Sequence, residues 1–264
     1  LDLARCDACS PKTPPPARRT AATSSTTQRS STERSSTQRS STQRASARRS
    51  SAPRSSAKPA VVDAGARRIF HITHRRNLES ILAAGRMLSD AAGATPVVDI
   101  SAPDNREIRR EVRTGSEPAS ATVSAHVPFF LVPNAFLWER MRDSEADLRL
   151  AESVHTTSTS DFVILVSTVR AAGELAVVAD GDAADPSTRF SSLAESGGKM
   201  PRRLHDEEHA VFDAELLVPG EFPFEAITLV GVANDKVRSD VRAMLSEHGF
   251  SQKVSVYPPW FQPS

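Results

Sequence analysis

The 264-residue chain is long enough for one large domain or two small ones, and its 33 basic and 32 acidic residues nearly cancel. Residues 1–60 hold 12 Lys and Arg against 3 Asp and Glu, which leaves 21 basic and 29 acidic residues for 61–264. The two parts therefore carry net charges of +9 and −8. No apolar run approaches the roughly 20 residues of a membrane span, and no secretory signal is recognisable, so a cytoplasmic, membrane-free protein is expected.

The first predicted segment is a basic, polar tail formed by residues 1–60. Between Thr27 and Ser46 the pentapeptide SSTxR recurs with an arginine every five residues, a spacing typical of neither a helix nor a strand. Because it has nothing apolar to bury, this tail is expected to be disordered. It is either a phosphate-binding arm or an inert linker. Cys6 and Cys9 form only half of a zinc motif, and no metal site is predicted.

The predicted ordered domain, residues 61–264, opens with a strand and a helix. The segment RRIFHIT (67–73) is a short apolar strand. The next apolar residues recur at i, i+3 and i+4, which indicates a helix, and Gly85 suits its C-terminal cap. A loop of small residues follows, and then a short basic helix over residues 106–113.

Strand patterns dominate the rest of the chain. An amphipathic helix is predicted over 235–249 and a long loop over 181–209. There is no βαβ alternation and no glycine-rich nucleotide motif, so an α+β domain with a mixed or antiparallel sheet is predicted. The predicted strands of this part are 162–169, 174–180, 210–218, 226–233 and 253–259. Residues 125–141 are strand-like and aromatic but are interrupted by Pro128 and Pro133.

The first polar residues that suit chemistry surround the start of the first helix. His71 and Thr73 are two residues apart at the end of a strand, so they lie on one face, and Asn77 follows in the first helical turn. Such a helix start can hold a phosphate or another polar ligand. Alternatively, His71 bonds a buried backbone group, and Thr73 or Asn77 caps the helix.

Two further candidates are a basic helix and a carboxylate. Arg109 and Arg110 are suited to clamp a pyrophosphate or a nucleic-acid backbone, or else they form a solvated face. Glu215 lies in a strand pattern that also places Val211 and Asp213 on its side. If this side faces water, Glu215 has no special role. If it lines a cleft, Glu215 is a functional carboxylate among apolar side chains.

Four segments, taken in order, resemble the DarT family of DNA ADP-ribosyltransferase toxins: FHITHRRNLESILAAGRMLSD, REIRREVR, HVPFFLVPNAFLW and DAELLVPGEFPFEAI. The resemblance runs from Arg68 to Tyr257 and excludes the tail. It implies an α+β, ADP-ribosyltransferase-like fold with a split β-sheet core and flanking helices. It also implies NAD as co-substrate without a metal, single-stranded DNA as acceptor, and a DarG-like macrodomain antitoxin that reverses the modification.

The resemblance also implies roles for particular residues. Glu215 would be the catalytic carboxylate, in a cleft shared with Val211 and Asp213, and residues 181–214 would recognise the substrate. The essential arginine would be Arg109, with Arg110 as the alternative. The residues expected to contact NAD are His71, Ile72, Thr73, Asn77, Arg109 and an aromatic ring, either Phe129 or Phe130. The competing hypotheses are a transferase of the same fold that acts on protein or RNA, and a non-catalytic protein that binds nucleic acid through its tail.

Overall fold

The computed structural model describes residues 63–115, 121–193 and 210–263. The predicted tail, both cysteines and the middle of the predicted recognition loop lie outside these residues, and the predicted domain boundary stays a prediction. In the described ranges the strands are β1 (Arg68–His74), β2 (Arg86–Leu88), β3 (His126–Phe130), β4 (Phe162–Thr168), β5 (Val177–Ala179), β6 (Phe190–Ser192), β7 (Glu215–Pro219), β8 (Glu221–Pro223), β9 (Leu229–Val232) and β10 (Lys253–Val256). The helices there are α1 (Leu78–Ala84), α2 (Pro103–Glu111), α3 (Phe136–Arg142), α4 (Val169–Ala172) and α5 (Asp235–Glu247).

Eight of these strands form one mixed sheet in the order β10-β9-β4-β1-β3-β7-β5-β6. The neighbours are antiparallel except β9 and β10, which run parallel. Strands β2 and β8 form a separate antiparallel ribbon. The predicted α+β fold with a mixed sheet is therefore confirmed.

Strand β4 lies inside the sheet and is covered on both faces. Val163 and Leu165 pack into the cluster that contains the buried faces of α1 and α5. Phe162, Ile164 and Val166 point the other way, into a second cluster that includes residues of α3. A strand buried on both faces needs an unbroken apolar run, which explains why this segment was predicted correctly from its sequence.

Helices α1 and α5 present the apolar faces that their periodicity predicts. Leu78 and Leu82 of α1 are buried, and Gly85 ends the helix with φ +66°, a left-handed conformation that favours glycine. Helix α5 is capped at its N-terminus by Asn234, whose side chain accepts a hydrogen bond from the Val237 N–H at 3.0 Å.

The sheet is split between β1 and β3. Strand β1 pairs with β4 along its whole length but pairs with β3 only where Phe70 lies opposite Phe130. Beyond that point Pro128 has no N–H to offer to β1, and its carbonyl accepts a hydrogen bond from His71 Nδ1 at 2.8 Å. The backbones of β1 and β3 therefore separate, and a cleft opens between them.

Two sequence predictions are wrong in detail. The sequence predicts strand structure over 125–141, interrupted by Pro128 and Pro133, but β3 ends at Phe130 and the aromatic residues that follow Pro133 form α3. Trp138 and Met141, three residues apart, supply the buried face of α3, so helical periodicity outweighs aromatic strand preference there. Val211 was expected in the cleft. It lies in a 3₁₀ turn before β7 and packs in the core, because the alternation of a strand does not apply in that turn.

Candidate active site

The cleft at the split of the sheet has a volume of about 510 Å³, within the usual range for ligand pockets. Its walls come from β1, α1, β2, residues 89–102, α2, β3, α3 and the start of β7, together with Arg149 and Asp182. The structure brings together most of the residues proposed from the sequence. Those that line the cleft are His71, Ile72, Thr73, Asn77, Arg109, Phe130, Asp213 and Glu215.

Glu215 is buried inside the cleft. It is the first residue of β7, opposite Phe130 of β3, and only 3% of its surface is exposed. Its Oε1 accepts hydrogen bonds from Arg109 Nη1 and the Ala183 N–H, both at 3.0 Å, and its Oε2 accepts one from Arg109 Nη2 at 2.7 Å. A buried carboxylate requires such partners. The alternative that Glu215 faces water is therefore wrong.

Arg109 and Arg110 point in different directions from α2. Arg109 faces the cleft, where its guanidinium grips Glu215 and lies 3.9 Å from Asp182 Oδ1. Burial is the largest single influence and lowers the pKa of Arg109, but the charge and hydrogen bonds of Glu215 and the charge of Asp182 together raise it more. The net direction is upward, and the side chain stays cationic. Arg110 instead bonds Asp90 and Glu107 on a more exposed side of the helix. The geometry thus favours Arg109 over Arg110.

The structure also distinguishes the two candidates for the aromatic ring, Phe129 and Phe130. Phe129 is fully buried and packs edge-on against Phe222, with ring centroids 4.8 Å apart. Phe130 is partly buried and lines the cleft opposite Glu215. Successive strand residues point to opposite faces, so only Phe130 can present its ring to a ligand beside Glu215.

His71 both bonds the backbone and lines the cleft. Its Nδ1–H donates to the Pro128 carbonyl, as one alternative predicted. Burial lowers the pKa of His71, although this hydrogen bond partly opposes the effect. The ring is therefore neutral near pH 7, and Nε2 is an acceptor.

Asn77 fastens the wall formed by residues 89–102, which we term the wall loop. Its Nδ2 donates to Thr73 Oγ1 at 3.1 Å and to the Val98 carbonyl at 2.9 Å, and its Oδ1 accepts from the Val98 N–H at 2.9 Å. The side chain does not cap a helix; His74 Nδ1 accepts from the Arg76 N–H instead. Asn77 thus shapes the cleft, with both of its amide hydrogens already donated.

Sequence reasoning missed the other anchors of the wall loop. Arg106, on the same helix as Arg109, bonds Asp90 and Asp99 at the two ends of this loop. Burial raises the pKa of Asp90, but hydrogen bonds from Arg110 and Arg106 outweigh this effect and hold it below its usual value. In the sequence, these ion pairs are indicated only by the presence of acidic residues in a loop that precedes a basic helix.

The described part of the chain contains neither a cluster of metal-ligating side chains nor a membrane-spanning helix. In residues 63–115, 121–193 and 210–263, no three His, Cys, Asp or Glu side chains are grouped as they would be around a metal ion. Over the same residues, no helix is long and apolar enough to cross a membrane.

The family model described as "ssDNA thymidine ADP-ribosyltransferase, DarT" matches residues 70–262. The chain belongs to the DarT family. The resemblance seen in the sequence is thereby confirmed, and the protein is a DNA ADP-ribosyltransferase by family. The "DNA ADP-ribosyl transferase" of Mycobacterium tuberculosis (strain ATCC 25618 / H37Rv) is 27% identical over 210 residues, which are 72% of this chain and 86% of that relative.

Solved structures of DarT proteins share this fold. Thermus sp. 2.9 DarT in complex with ADP-ribosylated ssDNA is 20% identical, with a TM-score of 0.63 over 74% of this chain and 96% of that chain. In complex with NAD+, the same protein is 21% identical, with a TM-score of 0.60 over 74% and 98%. Thermosipho africanus DarTG in complex with ADP-ribose is 19% identical, with a TM-score of 0.56 over 74% and 51%. The predicted ADP-ribosyltransferase-like fold is confirmed.

His71, half-buried in the wall of the cleft, makes the stability of this DarT protein depend on pH. Because the folded pKa of His71 lies below the ordinary value of 6.5, the unfolded chain takes up its proton first. The contribution of His71 to the free energy of unfolding is therefore fully present above about pH 6.5 and is lost as the pH falls below it. The total loss is about 1.4 kcal/mol for each pH unit by which the folded pKa lies below the unfolded pKa. Chemical denaturation at pH 7.5 and 5.5 measures how much free energy of unfolding is lost between these pH values, and this loss should be smaller in His71→Gln than in the wild type. An equal loss in both proteins would assign the effect to His74 and His126, whose pKa values burial also lowers.

Replacement of Asn77 should affect both stability and NAD binding in this DarT protein. Asn77→Ala leaves the Val98 N–H and carbonyl without their partners. Because these groups are only partly buried, the cost of each lies at or below the lower end of the roughly 1–3 kcal/mol for a buried group. It also releases the wall loop, so we expect the KM for NAD to rise. Asn234→Ala is the matched control, since loss of its helix cap costs about 1 kcal/mol at a site that does not line the cleft. Equal KM values for these two variants would contradict the role of Asn77.

Proposed function

We propose that this chain transfers ADP-ribose from NAD to the thymine base of single-stranded DNA and releases nicotinamide. The observation that carries the proposal is the forked pair of Arg109 and Glu215 inside the cleft of a DarT-family fold. The family description names single-stranded DNA thymidine, and the Thermus relative is known in complex with NAD+ and with ADP-ribosylated DNA.

The residues of the cleft fit NAD. The volume of about 510 Å³ suits a ligand of this size. The Phe130 ring offers a flat apolar surface for the nicotinamide, and the neutral ring of His71 offers an acceptor for a hydroxyl or amide. Thr73, which lies on the same strand as His71, adds a hydroxyl.

Glu215 would act on the ribose. NAD supplies a ribose carbon that becomes positively charged as its bond to nicotinamide breaks, and nicotinamide leaves with the electron pair of that bond. The Glu215 carboxylate, held by Arg109 and Ala183, is a fixed acceptor for a ribose hydroxyl and a fixed negative charge near that carbon. Such a preorganised charge is worth most in the transition state.

Arg109 would serve two purposes. Its two hydrogen bonds keep Glu215 in one orientation, and its cationic group can attract the phosphates of NAD or DNA. A base nitrogen then donates its electron pair to the ribose carbon and releases the proton that it carried. The target base must be unpaired and turned out of the stack to reach this position, which favours single-stranded DNA.

A biological role as the toxin of a toxin–antitoxin pair extends this proposal. The fold relative named DarTG and the family resemblance support a DarG-like macrodomain antitoxin as the partner that removes the modification. We place the activity in the cytoplasm, where NAD and replicating DNA are both present.

The proposal can be tested with the full chain, adenine-labelled NAD and short oligonucleotides. We expect label on single-stranded DNA that contains thymine, less label when the complement is annealed, and none on an oligonucleotide without thymine. Mass spectrometry of the digested nucleosides should find ADP-ribose on thymidine. Label on guanosine would change the proposed base.

Two other results would favour the competing functions. Label that appears on RNA or protein in a cell lysate, and not on DNA, would indicate a transferase with another acceptor. DNA binding that ignores NAD and disappears when residues 1–60 are deleted would indicate a non-catalytic binding protein.

A further inference from the structure

Beside the Arg109–Glu215 pair, in the wall of the same cleft, lies a second charged group that the proposed chemistry does not use. Arg149 grips Asp147 through Nε and Nη2, at 2.9 and 2.7 Å. Its Nη1 contacts Asp182 Oδ2 at 3.1 Å and Asp213 Oδ1 at 3.5 Å. One guanidinium thus joins three carboxylates from three separate parts of the chain.

The contacts with Asp182 and Asp213 reach segments that supply groups to the Glu215 site. Asp182 precedes Ala183, whose N–H bonds Glu215, and its other oxygen lies 3.9 Å from Arg109 Nη1. Asp213 lies two residues before Glu215. The backbone carbonyl of Arg149 also accepts a hydrogen bond at 2.8 Å from the N–H of Ala102, the N-cap residue of α2, which carries Arg109.

We propose that Arg149 is a positioning residue for ADP-ribose transfer, which sets the relative placement of Glu215, Arg109 and Ala183 through Asp182 and Asp213. This inference rests on the proposed function. All three nitrogens of the Arg149 guanidinium already donate to carboxylates, and its side chain is 23% exposed. A group so occupied is suited to hold its neighbours rather than to bind a phosphate.

The role predicts that substitution affects turnover more than NAD binding. Lysine keeps the positive charge but cannot bridge carboxylates with a planar fork, so Arg149→Lys should let Asp182 and Asp213 shift. A displacement of about 1 Å at a reacting group can cost about 10²-fold in rate. We therefore expect kcat to fall about 10–10²-fold while the KM for NAD changes less than about threefold.

Arg140→Lys is the matched control. Arg140 also pairs with Asp147, at 3.3 Å, and with Glu145 at 3.0 Å, but it contacts neither Asp182 nor Asp213. Its kcat should stay within about twofold of the wild type, because partly exposed ion pairs contribute little. Asp147→Asn provides a milder perturbation if Arg149→Lys fails to fold, and it should lower kcat in the same direction.

A double-variant cycle tests whether Arg149 acts through Glu215. In the Glu215→Gln background, Arg149→Lys should have little further effect on kcat, because the carboxylate that it positions is already gone. A raised KM for NAD with an unchanged kcat would overturn the proposal and make Arg149 a ligand contact. Multiplicative loss in the double variant would also overturn it, since the two residues would then act independently.

The outcome can be separated from a failure of the proposed function. A wild-type chain that labels DNA, together with an unaffected Arg149→Lys variant, overturns only the role of Arg149. If the wild type hydrolyses NAD but labels no DNA, the proposed acceptor is wrong. The role of Arg149 is then tested by the same double-variant cycle, with kcat for NAD hydrolysis measured in place of DNA labelling. A chain with neither activity overturns both proposals.

Discussion

Glu215→Gln is expected to lower kcat for DNA modification by about 10²–10³-fold, the usual effect of removing a preorganised electrostatic group. Glutamine keeps an oxygen for Arg109 Nη1 and the Ala183 N–H but replaces Oε2, which Arg109 Nη2 contacts at 2.7 Å, with an NH2 group. The fixed negative charge near the ribose is lost while the shape is retained. Initial rates at saturating NAD and DNA measure the effect.

Glu221→Gln is the control for this change. Glu221 lies on β8, pairs with Arg86 at 3.1 Å, and has a side chain that is 53% exposed. Its loss should leave the rate within about twofold, because exposed ion pairs are weak. A Glu215→Gln enzyme that is folded and labels DNA at the wild-type rate would contradict the catalytic assignment of Glu215.

Arg109→Met should be the most destabilising of the substitutions considered. It leaves the Glu215 carboxylate, which is 4% exposed, without its cationic partner, and breaking a buried pair in this way costs about 3–5 kcal/mol. The rate should fall at least about 10²-fold, because Glu215 is no longer held in one orientation. Urea denaturation measures the first effect and single-turnover labelling the second.

Two further variants show whether the effect of Arg109→Met comes from the lost charge, from the lost forked hydrogen bonds, or from any arginine of this helix: Arg109→Lys and Arg110→Met. Lysine retains the charge without the fork, so Arg109→Lys should recover part of the stability but little of the rate. Among the described residues Arg110 pairs with Asp90 and Glu107, and its side chain is 46% exposed, so its replacement should cost less than about 1 kcal/mol and leave the rate unchanged. The reverse ranking of Arg109 and Arg110 would make Arg110 the essential arginine.

Periodicity sufficed where a single pattern determined the structure. The apolar run of β4 and the amphipathic stripe of α5 could each be predicted from the sequence alone. Strands β2 and β6 have three residues each, too few to show any period, and they escaped prediction. The aromatic residues of α3 favour a strand by their local propensity, but their packing into the core stabilises a helix instead.

The site was harder to predict because its parts come from distant positions. Local spacing left Glu215 ambiguous, and only the resemblance to a family marked it as catalytic. Adjacent residues of a helix differ by about 100° in direction, so the sequence could not decide which of Arg109 and Arg110 faces inward. The contacts of Arg149 with Asp182 and Asp213 span 33 and 64 residues, and no local pattern reveals such pairs.

Because β1 and β3 pair only at Phe70 and Phe130, few backbone hydrogen bonds connect the two halves of the sheet at the split. Strand β1, on one side, carries His71 and Thr73, whereas β3 and β7, on the other, carry Phe130 and Glu215. A dinucleotide that contacts both sides would act as a removable cross-link. By thermodynamic linkage, such a ligand at 100 times its Kd adds about 2.7 kcal/mol to the stability of the fold. The lifetime of the folded enzyme in a cell would then follow the supply of the co-substrate that it consumes.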